Sequence, residues 1–202
     1  MHGSSTAHPL TASSLTGREL RSRVSAISSE LASRGLGRTD VIAVTLPNGI
    51  LMAKAFLGVA AHATCAPLNP AFNQAEFTDN LKDLGAAALV VPRGEDSAAR
   101  TAALELGIEL LEFPLEPKDR DEPLTNTPAP DDIVLILHTS GTTSRPKQVP
   151  LSHRNLLASA AAVAGVLDLR EDDIALNVMS LFHIHGIVGV LLASLHVNAG
   201  IL

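Results

Sequence analysis

The stretch VIAVTLPNGILMAKAFLGVAAHATCAPLNP, residues 41–70, sets two short apolar runs on either side of an apolar helical segment. The first run, VIAVTL, is continuously apolar and rich in β-branched residues, which is typical of a strand buried on both faces. Pro47, Asn48 and Gly49 end this run, ILMAKAFLGVAAH follows as a predicted helix, and TCAPL is the next predicted strand. The order strand, helix, strand predicts two parallel strands joined by a helix.

The same alternation extends outward from this stretch in both directions. Upstream, residues 15–34 place apolar side chains on one helical stripe, Thr16 and Glu19 have the spacing of a capping box, and Gly35 is placed to end the helix. Further helices are predicted at residues 74–84, 97–106, 153–167 and 183–195, and further strands at residues 86–91, 108–113, 131–140 and 174–179. The predicted fold class is therefore α/β, with parallel or mixed sheets flanked by helices.

Two segments do not follow this alternation. Residues 1–14 are predicted to be a flexible N-terminus, and residues 15–202 form the α/β unit. Within that unit, residues 113–130 are acidic and carry five prolines, so we interpret them as a surface connection between its two halves.

Composition argues against several classes of protein. The 202 residues carry a formal net charge of −6 and 2% aromatic side chains, so a basic patch and stacking platforms for nucleic acid are not expected. The longest apolar run, residues 187–195, is shorter than the roughly 20 residues that a membrane-spanning helix needs. Cys65 lies in an apolar context and is predicted to be an inert core thiol, with a reactive thiol as the alternative. Because no secretory signal is recognisable at the N-terminus, a cytoplasmic location is predicted, and a peroxisomal one is open to a full-length relative.

The most informative polar segment is TSGTTSRPK, residues 139–147, directly after a predicted strand. It combines short hydroxyl side chains and Gly141, which lets the backbone approach an anion, with the positive charge of Lys147. Pro146 limits the freedom of the loop. A polar loop between a buried parallel strand and a helix is expected at the carboxyl edge of the sheet, where α/β folds bind ligands. The segment is therefore a candidate triphosphate site, and an ordinary polar turn is the alternative.

Two nucleotide-binding motifs do not match. A Walker A loop is excluded because Pro146 precedes Lys147 and Gln148 follows it, where that motif requires Gly-Lys-Ser/Thr. A Rossmann-type oxidoreductase is disfavoured because no Gly-x-Gly-x-x-Gly follows the first predicted strand, where residues 46–49 read LPNG.

The segment TSGTTSRPK resembles the Thr/Ser/Gly-rich phosphate loop of the adenylate-forming acyl-CoA synthetases, the superfamily of AMP-dependent synthetases and ligases. Ser144 stands where Gly is commoner, which is similar to the oxalate–CoA ligase-like, peroxisomal-type branch, and Gln148 stands where a Gly usually follows the lysine. Other blocks resemble the family in the same order. They are residues 41–72, LSHRNL at 151–156 and SLFHIHGIVG at 180–189.

This resemblance implies an activity and a set of site residues. Enzymes of the family join a carboxylate to ATP in the presence of Mg2+, and coenzyme A then displaces AMP from the acyl-adenylate. The residues implied to bind the ATP phosphates are Thr139, Ser140, Gly141, Thr142, Thr143 and Lys147. The residues implied to line or gate the carboxylate pocket are His183, His185 and Gly186. No residue of this chain is assigned a catalytic role.

His183 and His185 have other interpretations. Their spacing suits two metal ligands, with both rings on one face if the segment is extended. No carboxylate or third ligand follows closely in the sequence, so a metal site is disfavoured, and simple packing beside an apolar helix is a further alternative.

The resemblance also implies that residues 15–202 form a partial N-terminal domain, because the family's adenine-binding segment, hinge and C-terminal domain lie further downstream. The expected function is that of an N-terminal fragment of an ATP-dependent carboxylate–CoA ligase. The alternative is a non-catalytic nucleotide-binding or scaffolding remnant of such an enzyme. The expected partners are a small carboxylate, ATP and coenzyme A, with no nucleic acid and no membrane span.

Overall fold

A computed structural model of the protein describes residues 15–114, 127–139 and 147–202. The predicted flexible N-terminus, residues 1–14, lies outside these ranges. So do residues 115–126 of the proline-rich connection and residues 140–146 of the candidate phosphate loop.

A six-stranded sheet with the strand order β4-β3-β1-β2-β5-β6 forms the centre of the molecule. Its strands are β1 (Val41–Val44), β2 (Thr64–Pro67), β3 (Ala88–Pro92), β4 (Glu109–Phe113), β5 (Ile133–Thr139) and β6 (Lys147–Ser152). The first five are parallel, and β6 is an antiparallel edge strand paired with β5. Two short parallel strands, β7 (Ile174–Ala175) and β8 (Gly200–Ile201), form a separate pair. The predicted class, an α/β fold with a parallel or mixed sheet, is confirmed.

The helices begin and end at the residues that local signals indicate. They are α1 (Gly17–Ser33), α2 (Ile50–Ala60), α3 (Gln74–Leu84), α4 (Ala98–Leu106), α5 (His153–Val166), a π-helical segment (His185–Leu192) and α6 (Ala193–His196). Thr16 and Glu19 form the predicted capping box of α1, Ser152 caps α5, and Gly85 ends α3 in the left-handed conformation at φ 58°. Within the described ranges, no helix has the length and hydropathy to cross a membrane.

Helices cover both faces of the sheet, as predicted. Along β1, Ile42 and Val44 join a core with α1, α2, α5 and the π-helical segment, whereas Ala43 joins a second core with α3 and α4. This alternation follows from the period of two along a strand. Cys65 lies in the first core with no exposed surface, and burial raises the pKa of its thiol, which confirms the prediction of an inert core cysteine.

The prediction of a loop leading from strand to helix after residue 139 is wrong. Residues 147–152 form β6, which runs back along β5 before α5 begins. Pro150 weakens the strand signal in this segment, but a proline is tolerated here because β6 lies at the edge of the sheet. The candidate phosphate loop therefore joins two antiparallel strands.

The strand predicted at residues 174–179 is also largely wrong, because pairing stops after Ala175. One further main-chain bond follows, from Asn177 N to Leu202 O at 2.8 Å. The side chain of Asn177 bonds nearby, where its Oδ1 accepts from Met179 N at 3.1 Å and its Nδ2 donates to Gly186 O at 3.2 Å. The helix predicted at residues 183–195 is present, but its first part is π-helical.

Candidate functional site

The candidate phosphate loop leaves the sheet between Thr139 and Lys147. These two residues are paired across β5 and β6, and Thr139 Oγ1 donates to Lys147 O at 3.4 Å. Because β5 runs parallel to β2, Thr139 lies at the carboxyl edge of the parallel strands, where α/β proteins bind ligands. The remaining predicted phosphate-binding residues lie outside the described residues, and their role stays a prediction. They are Ser140, Gly141, Thr142 and Thr143.

The hairpin geometry changes which groups could bind an anion here. Ser152, which caps α5, is paired with Ile133 at the far end of β5, so the N-terminus of α5 lies at the opposite edge from the loop. A phosphate at the loop therefore gains nothing from the dipole of α5, which acts within the first turn. Binding must come from hydroxyls and amides of the loop and from cations such as Lys147.

The amide of Gln148 is bonded to Asp83 in helix α3. Its Nε2 donates to Asp83 O at 2.7 Å and to Asp83 Oδ2 at 2.9 Å. His138, its partner across the hairpin, has Nε2 3.1 Å from the same Oδ2. Asp83 and His138 were not among the predicted site residues, since contacts over 55 and 65 positions leave no local sequence signal.

The predicted acyl-pocket residues lie together in a turn and in the π-helical segment that follows it. His183 and His185 are exposed, and the ring of His183 lies against Phe182 with centroids 4.5 Å apart. Gly186 is buried, and a Cβ placed on it would lie 2.5 Å from Ser180 O. This close contact between main chains requires a glycine. Pocket-lining roles for these three residues stay predictions.

The extended geometry that would let both histidines bind one metal is not present. Ile184 has helical dihedral angles and the helix continues from His185, and side chains two positions apart on a helix do not face each other. In the part of the chain that the structure describes, no group of three or more His, Cys, Asp or Glu side chains could hold a metal ion.

Asn48 links this segment to the carboxyl edge of the sheet. Its Oδ1 accepts from Leu181 N at 2.8 Å, and its Nδ2 donates to Met179 O at 3.4 Å. Since Asn48 follows β1, the histidine segment lies at the same carboxyl edge as Thr139. The sequence marks Asn48 only as the end of a strand, because its partners are more than 130 positions away.

We expect Asn48→Ala to lower the free energy of unfolding by about 1 kcal/mol, because Leu181 N loses its acceptor. Hydrogen exchange at the Leu181 amide should become about fivefold faster, which corresponds to the same free energy. The matched control is Asn80→Ala, which removes an exposed amide bonded only within α3, to Glu76 O. If the Leu181 amide exchanged at the wild-type rate in Asn48→Ala, the proposed link between Asn48 and the histidine segment would be contradicted.

Known proteins that match this chain include one protein family and several CoA ligases. A protein-family model described as AMP-binding enzyme matches residues 2–201. A probable CoA ligase of Humulus lupulus is 39% identical over 198 residues, covering 90% of this chain and 37% of its own length. The oxalate–CoA ligase of Arabidopsis thaliana is 36% identical over 202 residues, covering 93% of this chain and 39% of its own length. This chain thus spans well under half the length of these curated relatives.

A solved structure shows the same fold. Apo MatB from Rhodopseudomonas palustris matches with a TM-score of 0.83 at 21% identity, over 93% of this chain and 39% of that one. The sheet and its helices therefore have the arrangement found in part of a larger protein.

Proposed function

Because the chain belongs to the AMP-binding enzyme family, we propose that it supplies the phosphate-binding part of an ATP-dependent carboxylate–CoA ligase. The observation that carries the proposal is the pairing of Thr139 with Lys147 at the carboxyl edge of the sheet. A hydroxyl and an ammonium group thus flank the loop of residues 140–146, whose sequence is SGTTSRP. The relatives named as CoA ligases support the same proposal.

In the proposed reaction, a carboxylate oxygen attacks the α-phosphorus of ATP, and the bond from that phosphorus to the oxygen bridging to the β-phosphate breaks. Pyrophosphate leaves and an acyl-adenylate remains. The thiol of coenzyme A then attacks the acyl carbon and loses its proton, and AMP leaves. Lys147 and the loop hydroxyls would hold the β- and γ-phosphates, which positions the leaving group and offsets its charge.

Mg2+ would neutralise phosphate charge in this reaction.

The acyl side of the proposed site is formed by the segment with His183, His185 and Gly186. Two exposed imidazoles near the carboxyl edge could donate hydrogen bonds to a carboxylate. Ser144 and the relative named as an oxalate–CoA ligase favour a small dicarboxylate, so oxalate is the first substrate to test.

We expect Lys147→Ala to weaken MgATP binding to the chain about tenfold, because a charge-assisted contact with phosphate is lost. Isothermal titration calorimetry measures this directly. Arg154→Ala is the matched control, since it removes a cation paired with Asp131 at the opposite edge of the sheet. Equal losses of affinity in the two variants would point to a general charge effect and against a phosphate site.

Pyrophosphate release separates the catalytic proposal from the non-catalytic alternative. The chain is incubated with MgATP, coenzyme A and a carboxylate panel that includes oxalate. Release that depends on the carboxylate supports the ligase. MgATP binding without any release supports a nucleotide-binding remnant.

A further inference from the structure

We propose that Asp83 positions the phosphate loop by holding both strands of its hairpin through His138 and Gln148. These three residues are called the Asp83 clamp. The inference rests on the proposed function, because it gives Asp83 a role only if the loop binds phosphate. Asp83 is a positioning residue and is not proposed to contact ATP.

The clamp residues of the hairpin form the pair next to the one from which the loop emerges. His138 and Gln148 are paired in the hairpin, next to the pair of Thr139 and Lys147 from which the loop emerges. Side chains of directly paired residues lie on the same face of a sheet, so both reach the same acceptor. Asp83 Oδ2 is 3.1 Å from His138 Nε2 and 2.9 Å from Gln148 Nε2, and Asp83 O accepts a second bond from Gln148 at 2.7 Å.

Helix α3, which carries Asp83, is capped at both ends and packed along one face. Helix α3 begins at a complete capping box of Asn73 and Glu76, and it ends at Gly85 in the left-handed conformation. Phe77, Leu81 and Leu84 anchor the helix in the second core. The position of Asp83 on α3 is therefore supported by the caps and the packing of that helix.

The hairpin needs such an attachment because β6 has a neighbour on one side only. Among residues 15–114, 127–139 and 147–202, this edge strand pairs with β5 alone, so its outer side has no backbone ladder there. The bonds from Gln148 to Asp83 tie β6 to α3 as well. A glycine at position 148, which the family pattern favours, could make neither of them.

Fixing both ends of the loop should favour phosphate binding. Residues 140–146 are attached at Thr139 and at Lys147, and the clamp sets the separation and direction of these two ends. A loop whose ends are held in place loses less conformational freedom when it binds a ligand. Gln148 thus has a role in positioning the loop.

Proteolysis tests the clamp without any ligand. Trypsin does not cut before proline, so Pro146 protects Arg145 and the bond between Lys147 and Gln148 is the cleavable one at the loop. Asp83→Ala leaves residues 138–148 unchanged and should speed cleavage of this bond about fivefold, seen as fragment 148–202 by mass spectrometry. Asp83→Asn, which keeps one acceptor oxygen, should restore part of the protection.

The matched control is Gln74→Ala. Gln74 also lies on α3 and its amide also donates to a carboxylate, but that carboxylate belongs to Glu105 of α4, at 2.9 Å. This variant should be cleaved at the wild-type rate. Wild-type cleavage in Asp83→Ala, or equal acceleration in Gln74→Ala, would overturn the clamp.

Calorimetry with MgATP and with pyrophosphate then tests whether Asp83 positions the loop for phosphate binding. Asp83→Ala and Gln148→Gly should each weaken binding about fivefold, and the double variant should lose less than the product of the two single losses, because both changes remove the bond from Gln148 to Asp83 Oδ2. If Asp83→Ala fails to fold, Gln148→Gly alone decides the result. Unchanged affinity in folded variants would overturn the positioning role. A wild-type chain that binds neither probe would instead overturn the proposed function, and the cleavage result would still stand for the clamp itself.

Discussion

Gly186→Ala is expected to lower the free energy of unfolding by about 3 kcal/mol, the upper end of the usual range for overpacking. An added Cβ would lie 2.5 Å from Ser180 O, 3.0 Å from Ser180 C and 3.0 Å from Met179 O. All three are main-chain atoms, which cannot rotate away as a side chain can. Relief therefore requires the π-helical segment and the turn before it to separate.

That separation would also affect the contacts of Asn48. Met179 and Leu181, on either side of the clash, are the two residues that Asn48 holds at the carboxyl edge of the sheet. We expect the histidine segment to leave its position in Gly186→Ala, so binding of a carboxylate in the proposed pocket should weaken together with stability.

Chemical denaturation of the wild type, Gly186→Ala and Gly189→Ala measures their free energies of unfolding, with Gly189→Ala as the control. A Cβ on Gly189 would have as its nearest neighbour the ring of His185, at 3.3 Å, and that side chain can move. Alanine is also the better helix former by about 1 kcal/mol, so Gly189→Ala should be close to neutral. Equal stabilities for the two variants would show that the contact at Gly186 is not tight.

Gly58→Ala is expected to lower the free energy of unfolding by about 2 kcal/mol through the contact between α1 and α2. A Cβ there would lie 2.5 Å from Ile27 Cβ and 2.6 Å from both Cδ1 and Cγ2 of the same side chain. Truncating Ile27 to alanine would not remove the clash, because Cβ itself is among the atoms in conflict. The two helices must move apart, although the helix propensity of alanine offsets about 1 kcal/mol of the cost.

Helix α1 is sensitive to this change because its buried residues lie against α2. Ile27 and Leu31 pack in the first core, and Ser28 Oγ lies 3.2 Å from Gly58 O, to which it donates. The matched control is Gly165→Ala in α5, where a Cβ would meet no atom within 4 Å. This control should be stabilised by up to about 1 kcal/mol. A Gly58→Ala variant as stable as Gly165→Ala would contradict the close packing of α1 on α2.

Local sequence signals predicted most of the elements. Thr16 and Glu19 start α1, Gly85 ends α3 and Ser152 starts α5, as expected from caps that act within one helical turn. Continuous apolar runs indicated the parallel strands, because burial on both faces removes polar residues from them. These signals come from residues that are close together in the sequence, so they can be recognised without knowledge of the fold.

The candidate site was predictable only in part. TSGTTSRPK indicated where a phosphate loop begins and ends, but β6 was missed because Pro150 interrupts a strand that only an edge position permits. The length of β7 was overestimated, since its pairs with β8 are limited to Ile174 and Ala175.

Local patterns in the sequence were enough to predict the alternation of strands and helices, several helix ends and the segment that resembles a phosphate loop. The hairpin at residues 133–152 and the contacts of Asn48 and Asp83 emerged only from the folded chain. The difference is one of distance along the chain. Capping and periodicity act over a few residues, whereas these hydrogen bonds join residues that only the folding of the sheet brings together.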